Sequence, residues 1–214
     1  MEATGIEANV IPDPGFHVPL DRDWGGKVEG EFIVVQLADD KSDHRFGGSE
    51  RKSRFVSELR DVIEDLSKRY SVIVIPHVYD DVGISELVVE GLANARVLDF
   101  ASFAFDQCED VMKYYRDAKY VIAMRGHGQI VPVGFGTPVI TFSTHAKIKG
   151  MMDSLGLSRF HVEMDDNFAS KMAEAIEDLE NNYSETRKEI AEINVRLVSE
   201  TATQLAEVKN RISN

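Results

Sequence analysis

Hydrophobic residues recur along the chain in short continuous runs, separated by longer stretches of mixed polarity. Residues 32–37 form a run with apolar side chains on both faces, which is typical of a strand covered on both sides. Residues 72–75 are β-branched and are followed by Pro76, which predicts a second buried strand. The later runs that we interpret as strands are residues 96–100, 120–124, 138–142 and 160–162.

The stretches between these runs have helical periodicity. Ser49 can cap a helix whose apolar positions recur about every 3.6 residues, and these positions are Phe55, Leu59, Val62, Ile63, Leu66 and Tyr70. Shorter helices are predicted over residues 85–94, around 106–117 and over 147–155. Strands that alternate with helices of about 10–15 residues indicate βαβ units, so we predict an α/β fold with a doubly wound, Rossmann-like parallel sheet.

Two flanking regions differ from this alternating pattern. Residues 1–30 are rich in Gly, Pro and Asp and are interpreted as a leading segment or linker before an α/β domain at residues 31–165. Residues 166–214 are predicted to form C-terminal helices, because residues 168–212 contain neither Pro nor Gly. A break at residues 181–184 predicts two helices, with Ser184 capping the second. Packing along the domain surface is favoured over a coiled coil.

Composition narrows the class of protein. The chain has 214 residues, 43% of them hydrophobic, which is enough to bury a core. The single cysteine, Cys108, excludes a disulfide scaffold, and we expect it to be a buried or inert thiol. A net charge of −13 disfavours nonspecific nucleic-acid binding, since affinity for phosphate backbones comes from clustered Lys and Arg.

The sequence lacks targeting features at its start. Residues 1–10 have no basic, apolar signal-peptide pattern, so cytoplasmic residence is expected. Residues 126–146 are uncharged and as long as a membrane span, but they contain four glycines, two prolines and two histidines. We therefore predict no transmembrane segment.

Charge is unevenly distributed along the chain. Residues 119–161 contain five basic residues and one acid, Asp153, so this segment carries +4 within a protein of net charge −13. No glutamate lies between Glu109 and Glu163. The asymmetry fits a strand-rich segment with few charges of either sign, and it also fits a local anion site.

The residues after the run at 120–124 favour the anion site. Arg125 follows this predicted strand, and ligands of parallel sheets bind at the carboxyl ends of strands. Gly126 and Gly128 flank His127 and would let the backbone approach a ligand closely. A helix beginning near His127 would direct free N–H groups to the same point. Pro132 is tolerable in the first turn of such a helix but limits how early the helix starts.

A second pair of polar residues follows the next predicted strand. His145 and Lys147 would lie beside Arg125 and His127, and the four side chains could form a cradle for a small polyanion. The alternative is that Arg125 pairs with an acidic residue and that the histidines are structural. The absence of acidic residues nearby in the sequence favours the functional interpretation.

Acidic residues follow the first two predicted strands. Asp39 and Asp40 resemble the acidic pair of a receiver domain, but Asp99 falls inside its predicted strand and His145 precedes Lys147. We therefore expect Asp39, Asp40, Asp43 and His44 to form a solvated loop. Asp80 and Asp81 could orient a substrate hydroxyl, although an ordinary loop carboxylate is the simpler expectation. No metal site is predicted.

Residues 118–157 are similar to the C-terminal part of the polysaccharide pyruvyl transferase family. The shared pattern is a hydrophobic strand, Arg-x-His-Gly, a Gly-x-Pro before the next strand, then a lysine and a short helix. Upstream, the features that fit the same family in order are Asp13-Pro14-x-Phe16, Val34-Val35-Gln36 and Pro76 followed by Asp80. The resemblance thus covers most of residues 10–165.

The resemblance implies a glycosyltransferase-B-type fold and a transferase involved in polysaccharide biosynthesis. Members transfer the enolpyruvyl group of phosphoenolpyruvate to sugar hydroxyls and form a pyruvate ketal on surface glycans. By motif, Arg125 and His127 would bind the donor and His127 would be a candidate acid or base, with His145 and Lys147 supporting the donor. Gly126 and Gly128 belong to the same motif. No cofactor is implied, and the partners would be phosphoenolpyruvate and a glycan or lipid-linked sugar acceptor.

Family members are commonly about twice as long as this chain. The chain is therefore expected to correspond to the C-terminal, donor-binding half, which leaves open a separate N-terminal half, a homo-oligomer or inactivity of this chain alone. A nucleotide-sugar glycosyltransferase is a rival, although such donors usually need an acidic residue near the phosphate-binding turn, and only Asp153 could serve. A non-catalytic binding or assembly module is the third alternative.

Overall fold

A six-stranded parallel sheet forms the centre of the computed structural model, which describes residues 12–18, 20, 22–40, 45–98, 108–143 and 146–212. The strands are β1 (Phe32–Gln36), β2 (Ser71–Val74), β3 (Ala95–Val97), β4 (Val121–Ala123), β5 (Val139–Ser143) and β6 (His161–Glu163). Their spatial order is β3-β2-β1-β4-β5-β6. This is the order of the Rossmann fold, so the predicted fold class is confirmed.

Burial along the strands explains their composition. All residues of β1, β4 and β5 are buried, as expected for interior strands with both faces covered. In register, Val34 lies opposite Ile73 on one side and Val121 on the other. Arg96 is exposed on the edge strand β3.

Helices connect the strands. They are α1 (Ser49–Ser67), α2 (Val82–Val89), α3 (Cys108–Asp117), α4 (Gly126–Phe135), α5 (Ala146–Leu155), α6 (Phe168–Asn181) and α7 (Tyr183–Ile212). Helix α1 packs against α2 and α6, whereas α4 packs against α3 and α7. Within the described ranges, none of the helices has both the length and the apolar character that crossing a membrane would require.

Several helix starts differ from the sequence-based predictions, and α2 spans Val82–Val89 where a helix over residues 85–94 was predicted. Helix α1 begins at Ser49 itself, with Gly48 (φ 124°) as the preceding cap residue and no side-chain cap. Ser184 lies inside the first turn of α7 and is not its cap. Helix α4 starts at Gly126, so Pro132 lies in its second turn and not its first, and the helix ends at Gly136 (φ 75°).

The leading segment packs onto the domain. A 3₁₀ turn at Pro14–Phe16 lies against α4, and a Cβ built on Gly134 would be 3.0 Å from the carbonyl oxygen of Phe16, so this close approach needs glycine. Trp24 is buried and meets Phe135 edge-on, with ring centroids 5.8 Å apart.

Helix α7 is anchored from its first turn to Thr201, which is buried. Ile190, Ile193 and Leu197 are buried, and Asn194 Nδ2 donates to the carbonyl oxygen of Gly134 at 2.7 Å. This part packs along the domain surface, as predicted. Towards the C-terminus the apolar stripe is exposed, and its residues there are Leu205, Val208 and Ile212.

Candidate functional site

Strands β1 and β4 lie side by side at the centre of the sheet, and the direction in which successive strands are added reverses between them. Ligands of doubly wound sheets bind outside the carboxyl ends of the strands at such a switch point. Three loops meet there, after β1, β2 and β4. They contribute Asp40, Asp81 and Arg125, and the Arg125 side chain contacts both aspartates.

Gln36 and Gly128 fix the start of α4 against the sheet. The Gln36 side chain is fully buried, and its Oε1 accepts a hydrogen bond from the backbone N–H of Arg125 at 2.7 Å. A Cβ at Gly128 would lie 2.9 Å from Gln36 Oε1 and 3.1 Å from the Ala123 Cβ, so only glycine fits without displacement. The space beside Gly126 is open within 4 Å.

The guanidinium of Arg125 is held by two carboxylates. Its Nε donates to Asp81 Oδ2 at 2.8 Å, and its Nη2 donates to Asp81 Oδ1 and to Asp40 Oδ1, each at 2.6 Å. Burial works against the charged form, but the hydrogen bonds and charges of Asp81 and Asp40 raise the pKa of Arg125. The expectation that no acid neutralises Arg125 is therefore wrong, because both acids come from loops distant in sequence.

Asp81 is the anchor of this cluster. Its side chain is fully buried, and besides Arg125 it accepts hydrogen bonds from the backbone N–H groups of Asp39 (3.0 Å), His77 (3.2 Å) and Val78 (3.3 Å). It thereby joins the ends of β1, β2 and β4. The expectation of an ordinary loop carboxylate is wrong for this residue.

Asp39 and Asp40 also form ion pairs, so the predicted solvated loop is wrong for these two residues. Lys52 Nζ contacts the Asp39 carboxylate at 2.7 Å, and Asp40 Oδ1 accepts from Arg45 Nη2 at 2.6 Å. Burial by itself would raise the pKa of Asp40. The hydrogen bond from Arg45 and the charges of Arg125 and Arg45 lower that pKa by more, so it lies below its ordinary value. Asp43 and His44 lie outside the described residues.

A cleft of about 1110 Å³ opens above these contacts. Arg125, Gly126, His127 and Lys147 all border it, with His127 exposed on the first turn of α4 and Lys147 on the first turn of α5. The structure thus brings these four predicted residues to one cleft, with Gly128 buried beneath it. His145 lies outside the described residues.

His77 and Tyr115 border the same cleft, and sequence analysis missed both. His77 Nε2 and the Tyr115 hydroxyl oxygen are 2.5 Å apart. Burial, together with the charge of Arg125, lowers the pKa of His77 to about 4, so the ring is neutral at physiological pH. Its place directly after Pro76 at a strand end was a signal that could have found it.

Gln129 is another cleft residue that sequence analysis missed. Its side chain is buried, and neither its Nε2 nor its Oε1 has a hydrogen-bond partner in the described part of the chain. Buried amides are almost always hydrogen-bonded, so Gln129 is unusual. Among the described residues, no group of three or more His, Cys, Asp or Glu side chains is arranged to hold a metal ion.

Comparison with solved structures identifies the fold of the domain. A structure of E. coli heptosyltransferase WaaC with ADP aligns with a TM-score of 0.50 at 15% identity, covering 70% of this chain and 44% of that one. A mutant (K341M) of the Thermobaculum terrenum O-GlcNAc transferase aligns with a TM-score of 0.59 at 13% identity, covering 92% of this chain and 38% of that one. The domain therefore has the glycosyltransferase-B-type fold, and the chain spans less than half the length of either neighbour.

The sequence profile of one family matches most of the chain. The profile of polysaccharide pyruvyl transferase matches residues 1–146, which include Arg125 and His127. The chain belongs to the polysaccharide pyruvyl transferase family, and the resemblance noted from the sequence is confirmed. A search of curated proteins gave no match.

Proposed function

We propose that this chain binds phosphoenolpyruvate and takes part in transferring its pyruvyl group to a sugar of a cell-surface polysaccharide. The observation that carries the proposal is the position of Arg125 and His127, which border one cleft at the switch point of the sheet in a chain of this family. Lys147 and Arg45 border the same cleft and add positive charge.

Phosphoenolpyruvate carries a phosphate and a carboxylate, and the cleft offers groups that suit both. Among the described residues, Arg125 donates from Nε and Nη2 and its Nη1 has no partner. Arg45 Nη2 contacts the same Asp40 oxygen as Arg125 Nη2. Arginine forks bind carboxylate and phosphate oxygens through paired N–H groups. The N-terminus of α4 adds free backbone N–H groups that favour an anion.

The proposed reaction needs an acid and a base near the enol carbon. Protonation of C3 makes C2 electrophilic, one sugar hydroxyl oxygen bonds to C2, and a second hydroxyl oxygen then displaces the phosphate. One hydroxyl proton balances the proton added to C3, and the other leaves with inorganic phosphate. His127 is exposed in the cleft and is the proposed acid and base, while Arg125 and Lys147 stabilise the departing phosphate.

The acceptor is proposed to be a glycan or lipid-linked sugar in the cytoplasm. A separate N-terminal half or a second copy of the chain is proposed as the partner that supplies acceptor-binding residues, and the chain spans 44% of one structural neighbour and 38% of the other.

Thermal-shift titration with phosphoenolpyruvate tests the donor site. We expect saturable stabilisation of the wild type, and loss of that stabilisation in Arg125→Ala and His127→Ala variants. Arg211→Ala, an exposed arginine at the distal end of α7, serves as the matched control and should respond like the wild type. Equal stabilisation of the wild type and both cleft variants would contradict the proposal.

A nucleotide-sugar glycosyltransferase is the second candidate, and the fold of the heptosyltransferase solved with ADP favours it. Stabilisation by UDP- or ADP-sugars but not by phosphoenolpyruvate would support this candidate. Stabilisation by neither donor would favour a non-catalytic binding module.

A further inference from the structure

Two arginines that border the cleft converge on a single carboxylate oxygen. Asp40 Oδ1 accepts from Arg125 Nη2 and from Arg45 Nη2, each at 2.6 Å. A carboxylate held between two guanidinium groups has the same chemistry as an anionic substrate group held there.

The hydrogen-bonding edges of Arg125 show what Asp40 blocks. A guanidinium offers one pair of N–H donors along its Nε/Nη2 edge and another along its Nη1/Nη2 edge. Asp81 occupies the first edge with both of its oxygens. Asp40 occupies the Nη2 half of the second edge, so an incoming anion can reach only Nη1 unless Asp40 moves.

We propose that Asp40 occupies the place of the donor's anionic group on Arg125, and that donor binding displaces it. Asp40 is therefore an internal competitor that weakens the affinity for the donor. The inference rests on the proposed function, because it takes the second edge of Arg125 as the donor's binding edge.

The two aspartates differ in how easily each can leave Arg125. The Asp81 side chain is 0% exposed and is also held by three backbone N–H groups, whereas the Asp40 side chain is 31% exposed. Arg45 Nε donates to the backbone carbonyl oxygen of Asp40 at 3.2 Å, a contact that a rotation of the Asp40 side chain leaves intact. Displacement of Asp40 therefore leaves both arginines anchored, Arg125 by Asp81 and Arg45 by this backbone contact.

Competition by Asp40 persists across the neutral pH range. Although burial alone would raise it, the pKa of Asp40 lies below its ordinary value because Arg45 and Arg125 favour the carboxylate. The Asp40 carboxylate therefore stays negatively charged across the neutral pH range, where the donor is also negatively charged. Like charges placed side by side oppose binding.

Calorimetric titration of the full chain with phosphoenolpyruvate, at constant ionic strength, tests the inference. Asp40→Asn keeps the size of the side chain and removes its charge. If the site is open in only about a tenth of the molecules, the variant should bind about tenfold more tightly. Asp80→Asn, an exposed neighbour of Asp81, removes the same charge elsewhere and should stay within about twofold of the wild type.

Inorganic phosphate is the second probe, and it should gain affinity in Asp40→Asn as well. An Asp40→Asn variant that binds phosphoenolpyruvate no more tightly than the wild type overturns the inference. So does an equal gain in Asp80→Asn, which would reflect net charge only. If the wild type binds phosphoenolpyruvate and Arg125→Ala does not, these two outcomes overturn only the role of Asp40 and leave the proposed donor site intact. If neither the wild type nor Asp40→Asn binds phosphoenolpyruvate, both proposals are overturned.

Discussion

Removing the Asp81 carboxylate should be among the most destabilising single substitutions in the described part of the chain. In Asp81→Ala, the Arg125 guanidinium loses its bidentate partner, and three backbone N–H groups lose their acceptor. Breaking a buried ion pair from one side typically costs about 3–5 kcal/mol, because the remaining charge is uncompensated. For a protein of this size, that corresponds to a fall in Tm of about 6–20 °C.

Urea denaturation followed by circular dichroism measures this effect. Asp80→Ala is the matched control, because Asp80 is exposed and adjacent, and it should change the free energy of unfolding by no more than about 0.5 kcal/mol. Arg125→Met removes the charge but keeps much of the aliphatic side chain. The double variant Asp81→Ala/Arg125→Met should be more stable than the sum of the single effects predicts, by about 1 kcal/mol or more.

The double variant carries the sharper test. Strict additivity, or a loss in Asp81→Ala of less than about 1 kcal/mol, would refute the conclusion that Asp81 is a buried electrostatic anchor for Arg125. A full loss in Asp81→Ala with no recovery in the double variant would assign the cost to the backbone N–H groups alone.

Three further predictions concern His77, two glycines and Gln129. The pKa of His77 is about 4 in the folded protein and 6.5 ordinarily, so the unfolded chain binds this proton at a higher pH than the folded chain does. Lowering the pH from 7 to 5 should therefore reduce the free energy of unfolding by about 2 kcal/mol through His77, which is measured as a lower urea midpoint. His77→Gln should remove that share of the pH dependence. Gly128→Ala should lower the free energy of unfolding by about 1–2 kcal/mol, because the added Cβ would press on Gln36. Gly126→Ala should not lower it, because the space beside Gly126 is open. Thermal melts that show the same loss of stability in both variants would contradict this prediction. Gln129→Met should raise the stability by about 1 kcal/mol because it removes two buried atoms without partners, and a measured loss would show that the amide has a partner.

The sheet was predictable because its signals are local. The β-branched and aliphatic residues of β1 and β2 lie in short continuous runs, and such runs are what a strand buried on both faces requires. Helix starts were less predictable. A serine at the right spacing, such as Ser184, predicts a cap, but the chain before α7 turns at Asn182 and places Ser184 inside the helix.

The contacts of the site were the least predictable part. The position of Arg125 at a strand end followed from the pattern of strands and helices, and so did its neighbour His127. Its partners did not, since Asp81 and Asp40 are 44 and 85 residues away in the chain. Such pairings depend on strand order, and a single sequence carries no direct signal of which parallel strands become neighbours.

Strand order also sets when the sheet can be completed during synthesis. Gln36 and Arg125, at the ends of the adjacent strands β1 and β4, are 89 residues apart. As the ribosome releases the chain from its N-terminus, β1 has its β2 neighbour early, but its other edge stays open until β4 emerges. An open strand edge is a template for pairing with other chains, and every residue of β1 is apolar or buried in the finished sheet. We therefore expect the interval between the emergence of these two strands to be prone to aggregation.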